Sequence, residues 1–189
     1  MRSFFLLTAT VSATAALGLA APLPASAAPA NAVTSAEHCV LHTAAGGTMS
    51  CYRTFTEAIA DATGGRVANA PRDVAAAMAD TGLDRRLNAL GQAHRDAVVG
   101  IEYEDMDYGG ASTIVEADGG CDDDDGIEVS APYFEEFWND RITSFKTYVQ
   151  CQANHYQHID YEGTRTGWLE DTANIGPVMN DRTSSIQWR

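Results

Sequence analysis

The chain has 189 residues, 45% of them hydrophobic, and its 26 Asp and Glu outnumber its 12 Lys and Arg, for a formal net charge of −14. So acidic a surface repels nucleic acid and anionic lipid and attracts cations. The charge is uneven: residues 98–189 hold 19 acids and 5 bases (−14), and residues 28–97 hold 7 acids and 6 bases (−1).

In chain order, Arg2 supplies a positive start, residues 4–20 are almost wholly apolar or small, and Ala25-Ser26-Ala27 is a small-x-small cleavage site. Residues 1–27 therefore read as a secretory signal peptide, and with no second hydrophobic span the product is expected to be soluble and secreted; a monomer is expected. The four cysteines are Cys39, Cys51, Cys121 and Cys151. An oxidising destination favours two disulfides, for which three connectivities exist. Nearest-neighbour pairing would staple two separate regions.

Residues 28–97 read as a small helical segment, either a cap on the downstream region or a pro-segment. Thr54 and Glu57 have capping-box spacing, and Gly64-Gly65 end that first helix. Pro71 is expected as the first residue of a second helix ending near Gly82. A third, from Leu83 to about His94, puts Leu83, Leu87 and Leu90 on one face. Asp84-Arg85-Arg86 is either a helix face or a processing point.

From Val98 the period changes. "VVGIEYED", "STIVEA", "ITSFKTYVQCQANHY" and "SSIQWR" are rich in β-branched and aromatic residues and broken by Gly, Asn and Asp. That pattern predicts an all-β region over 98–189. Ten of the sixteen aromatics lie between Tyr103 and Tyr161, where the main core is expected.

This region repeats internally. "IEYEDMDYGGAS" aligns with "NHYQHIDYEGTR", pairing Tyr103 with Tyr156, Tyr108 with Tyr161, and Gly110 with Gly163, each 53 residues apart. Two hexapeptides, Asn139 to Ser144 and Asn180 to Ser185, come next at a spacing of 41. The difference of 12 is an insertion in the first unit that includes "DGGCDDDDGIE". Asn, Asp, Ser and Thr are short oxygen donors that favour turns, and calcium wants about six to eight oxygen ligands.

An aromatic, then aromatic-x-Gly five residues later, then Asn-Asp-x-x-(Thr/Ser)-Ser, resembles the calcium-binding Greek-key motif of the βγ-crystallin superfamily. The resemblance covers both motifs over 98–189. It implies a double Greek-key sandwich preceded by the helical segment, with two Ca2+ sites. Asn139, Asp140 and the Arg141 carbonyl would bind one ion, and Asn180, Asp181 and the Arg182 carbonyl the other. The hydroxyls of Thr143 and Ser184 would each reach across to the other motif's ion, and hairpin carbonyls near Glu104 and Gln157 would complete the shells. Ser144 and Ser185 would pin the folded hairpins. The resemblance also admits an alternative, a secreted metalloproteinase inhibitor or killer-toxin-like protein acting on a secreted protease through the insertion loop.

Other signals are weaker. If Gly126 took the sixth position of an EF-hand, Cys121 would be the first ligand and Pro132 the twelfth, so "CDDDDG" reads as a solvated loop. His155 and His158, three apart on a strand, face opposite ways and cannot clamp one metal. The Tyr and Trp side chains read as core and corner residues. No Gly-x-Ser-x-Gly, His-Glu-x-x-His or phosphate-cradling loop occurs, and no catalytic role is expected.

Overall fold

A computed structural model describes residues 38–91, 96–122, 125–134 and 137–189, and the expected signal peptide lies outside them. The described chain starts with a hairpin that the helical reading of 28–97 lacks. Strands β1 (His38–His42) and β2 (Thr48–Tyr52) pair antiparallel. Cys39 stands opposite Cys51, and the two are joined by a disulfide.

Three helices come next. α1 (Phe55–Ala62) is capped as its sequence predicts: Thr54 Oγ1 accepts from Glu57 N at 3.3 Å and donates to the Glu57 carboxylate at 2.8 Å. α2 (Val74–Met78) starts later than expected. Its cap is Asp73, whose carboxylate accepts from Ala76 N at 3.0 Å, so Pro71 precedes the helix instead of opening it. Gly82 does not end α2, because it lies inside α3 (Thr81–Gly91). α3 buries Leu83 and Leu87, while Leu90 is only half-buried.

Six more strands complete the fold: β3 (Ala97–Tyr103), β4 (Ser112–Ala117), β5 (Val129–Ala131), β6 (Ser144–Thr147), β7 (Ala153–Tyr156) and β8 (Ser185–Trp188). One sheet has the order β2-β1-β4-β3-β6 and the other β5-β8-β7. β5 belongs to the first motif by sequence but pairs with β8 of the second. In return, Thr172 of the second motif bridges Phe145 on β6, while Arg165 and Leu169 bridge β7. Each motif thus lends its third segment to the other's sheet. This exchange is the double Greek key, and the fold is all-β with a small helical part.

The long run 144–156 is two strands, divided where Val149 (φ 49°) and Gln150 (φ 67°) turn the chain beside the second disulfide, Cys121–Cys151. Both bridges are the nearest-neighbour pairs.

β3 is buried at every position instead of alternating. One face looks into the sandwich, where Glu102 reaches His155 of β7 and Gly100 lies under Trp188 of β8. The other face meets the helices, with Tyr103 Oη 2.9 Å from Met78 Sδ. A strand covered on both faces reads as a continuous apolar run. The hairpin extends this sheet, because β1 pairs in parallel with β4.

α3 is docked onto β6 and the turn after it. Asp84 binds Lys146 Nζ at 3.0 Å and Tyr148 Oη at 3.1 Å, and Asn88 Oδ1 accepts from Val149 N at 2.7 Å. Asp84-Arg85-Arg86 is accordingly a helix face. Trp138 and Trp188 are fully buried, as their reading as core residues requires, but Tyr133 and Phe137 are exposed. No described helix is long and apolar enough to cross a membrane.

Candidate metal centre

The two hairpins of the repeat have the same backbone. Each contains a single 3-10 turn, Met106–Tyr108 and Ile159–Tyr161, in which an Asp and a Tyr take left-handed conformations. Their φ values match closely: 57° and 64° at Asp107 and Tyr108, 55° and 65° at Asp160 and Tyr161. Left-handed backbone is costly outside glycine, and the buried serine after each hexapeptide holds it. Ser144 Oγ donates to Asp105 O at 2.6 Å and accepts from Tyr108 N at 3.1 Å. Ser185 Oγ donates to His158 O at 2.6 Å and accepts from Tyr161 N at 3.0 Å. The pinning role expected of both serines is present in each motif.

The hexapeptide turns interlock. Asp140 (φ 58°) and Asp181 (φ 53°) are also left-handed, a conformation Asp tolerates better than most residues. Asp140 N donates to Thr183 O at 3.1 Å, and Asp181 N donates to Ile142 O at 3.2 Å. Each turn therefore hangs from the other motif's strand entry. Thr143 Oγ1 donates to Asp181 Oδ1 at 3.2 Å, while Ser184 Oγ donates to Gln157 O at 3.0 Å and stands 3.5 Å from Asp140 Oδ1.

The candidate ligands consequently fall into two clusters, each combining both motifs. One holds Glu104, Thr143, Asn180 and Asp181 around an open cleft of about 580 Å3, bordered also by Asp105, Met106, Asp140 and Arg141. Asp105 and Met106 escape a reading of the hexapeptides alone, though they adjoin Glu104 in the hairpin. The other cluster brings Ser184, Gln157 and Asp140 together. Asn139 stands half-buried beside Asp140, and Arg182 is exposed.

The donors suit a hard cation. They are carboxylate, carboxamide, hydroxyl and carbonyl oxygens, with neither sulfur nor imidazole. Among the described residues, the carbonyls of Glu104, Arg141 and Arg182 accept no backbone hydrogen bond outside the regular ladders, which leaves their lone pairs available. Other side chains are already engaged. Asn180 Nδ2 donates to Asp181 Oδ2 at 2.7 Å. Arg141 pairs with the Glu104 carboxylate, donates to Phe137 O at 3.1 Å and stacks 4.5 Å from the Phe137 ring. Asp181 accepts from Thr143 and Asn180 but, like Asp140, forms no ion pair with the described residues, so each cluster keeps a carboxylate whose charge no cation offsets. Among the described residues no group of three or more His, Cys, Asp or Glu converges as a metal cage.

The histidines of "HYQH" do diverge. His158 is exposed. His155 is buried between the sheets, its Nε2 2.9 Å from Glu102 Oε2 and its ring 4.2 Å from that of Phe145. Burial raises the Glu102 pKa against the lowering pull of His155. This pair is absent from any local sequence pattern, since it needs the register of two different sheets.

No family model and no curated protein matches the chain. Solved structures of similar shape are betagamma-crystallin domains. One from Clostridium beijerinckii is 24% identical, with a TM-score of 0.36 over 48% of this chain and 95% of that one. One from Flavobacterium johnsoniae is 24% identical, with a TM-score of 0.37 over 48% and 93%. A double mutant of clostrillin, in complex with nickel, has 23% identity and a TM-score of 0.36 over 48% and 95%. At this identity such likenesses concern the fold alone, and here the double Greek key follows from strand order and register.

Proposed function

We propose that this chain is a secreted calcium-binding protein in which two oxygen clusters, each built from both motifs, clamp the double Greek key. The reciprocal reach of Thr143 to Asp181 and of Ser184 to Asp140 carries the reading. A turn serving its own strand alone has no need to direct a hydroxyl at its counterpart's carboxylate.

Asp181, Asn180 and the carbonyls of Arg182 and Glu104, with Thr143, would hold one ion. Asp140, Asn139 and the carbonyls of Arg141 and Gln157, with Ser184, would hold the second. A bound divalent cation supplies the charge that draws these oxygens together. The chain itself contributes turns preset by left-handed Asp140 and Asp181, and hairpins pinned by buried serines. Two disulfides and the signal-like start support an oxidising, extracellular destination, where calcium is abundant. An ion that binds only the folded state at about a thousand times its Kd adds about 4 kcal/mol. The role is structural, not catalytic, and the protein acts as a monomer.

Melting the protein with calcium and after removal of divalent ions tests this reading. Calcium should raise the midpoint, and Asp140→Ala with Asp181→Ala should abolish the rise. Equal midpoints with and without calcium would remove the ion from the account.

A second reading, inhibition of a secreted protease, has one observation in its favour. The insertion loop is anchored by Cys121–Cys151 and by Arg189 to Asp125 at 3.2 Å, and it presents an exposed Ile127. Assays against secreted metalloproteases, with Ile127→Ser as control, would show dose-dependent inhibition lost in the variant. Absence of inhibition leaves the calcium module alone.

A further inference from the structure

One cleft in this acidic protein gathers cations. Arg53 comes directly after β2, and Arg72 precedes the cap of α2. Phe55 N donates to the Arg72 carbonyl at 3.3 Å, which ties the two segments together. Arg141 approaches from the first hexapeptide turn, and the three arginines line a cleft of about 510 Å3 together with Asp73, Glu104 and Phe137. Small-molecule sites run from roughly 300 to 1,000 Å3.

Of the two carboxylates in the lining, one is charge-paired and the other keeps its charge as a helix cap. Asp73 caps α2 by accepting from Ala76 N, and Glu104 accepts from Arg141. Arg53 and Arg72 form no ion pair with the described residues. Over the whole chain carboxylates outnumber cations more than two to one, 26 against 12, so two guanidinium groups without an ion pair in one cleft run against the composition. Like charges held near each other repel, and an anion between them reverses the sign of that interaction. Guanidinium is a planar fork that binds oxyanions through paired hydrogen bonds. Two unpaired forks match a dianion. Phe137, 43% exposed and stacked under Arg141, adds an aromatic wall beside that charge.

We propose that this cleft binds a small molecule through a phosphate-type dianionic oxyanion, with Arg53 and Arg72 as its ligands and Phe137 beside its organic part. The cleft shares the Glu104–Arg141 wall with one calcium cluster, but the proposal does not depend on calcium. The test is calorimetric titration of the full chain, freed of divalent ions on a chelating resin, at fixed ionic strength. Phenyl phosphate should bind saturably at one site, and more tightly than inorganic phosphate. Arg53→Gln with Arg72→Gln should weaken phenyl phosphate at least tenfold while the melting midpoint and the calcium titration stay unchanged. Arg72→Lys should lose part of the affinity, because it keeps the charge and loses the fork. No saturable binding by either probe, or equal affinity in the wild type and the double variant, would overturn the proposal.

Discussion

Ser185 has no exposed surface, and its hydroxyl holds the second hairpin by two hydrogen bonds, 2.6 Å to His158 O and 3.0 Å from Tyr161 N. Ser185→Ala removes both at once. A net hydrogen bond is worth about 0.5–1.5 kcal/mol, and a buried group left without a partner costs about 1–3 kcal/mol. His158 and Tyr161 lie near the surface, so water recovers part of that cost. The strained backbone at Asp160 and Tyr161 also loses its clasp. A loss of about 2–3 kcal/mol results, or a midpoint lower by roughly 4–12 °C at about 2–4 °C per kcal/mol for a chain of this size. Urea unfolding of calcium-free protein measures it, with an unchanged m-value showing that stability and not compactness has moved. Ser144→Ala should cost a similar amount through Asp105 O and Tyr108 N. The two serines pin separate hairpins, so the double variant should be close to additive. A loss below about 0.5 kcal/mol in both single variants would refute the idea that these hydroxyls hold the hairpins.

Three further perturbations rest on the same geometry. A Cβ added at Gly91 would stand 2.0 Å from Val149 Cγ1, so Gly91→Ala should lose about 1–3 kcal/mol in urea unfolding despite alanine's better helix propensity. Burial raises the Glu102 pKa above its ordinary 4.5, so the native state holds that proton more tightly than the unfolded chain. Its contribution is present below the ordinary value and lost as pH rises through the raised one. Glu102→Gln should therefore gain on the wild type as pH climbs from 4 to 8, read as a shallower stability–pH slope. Cys121→Ser with Cys151→Ser opens a loop spanning 30 residues and should cost about 3–4 kcal/mol by loop entropy, read from the urea midpoint.

What could be read from the sequence is what repeats or is local. The hairpins, the hexapeptides and the capping box at Thr54 all announce themselves within a dozen residues, and the structure carries each one. The strands "STIVEA" and "SSIQWR" were legible because turn residues bound them. The hairpin at 38–52 was not, because "HCVLH" and "TMSCY" are short and β1 joins the sheet by parallel pairing with β4, some seventy residues on. Pro71 misled for a physical reason: proline tolerates a helix start, but Asp73 offers a better cap two residues later. Glu102 meets His155, and Arg53 comes to share a cleft with Arg72, only through the tertiary fold. The candidate metal residues were found by their repeated spacing, whereas the engagement of Glu104 by Arg141 needed the fold.

Calcium titration calorimetry on the divalent-free protein tests the central claim most directly, because stoichiometry distinguishes a pair of shared clusters from a surface that merely attracts cations. Two ions per chain are predicted, with Asp181→Ala and Asp140→Ala each reducing the count to one and the double variant reducing it to none. No saturable heat, or a stoichiometry untouched by the double variant, would contradict it.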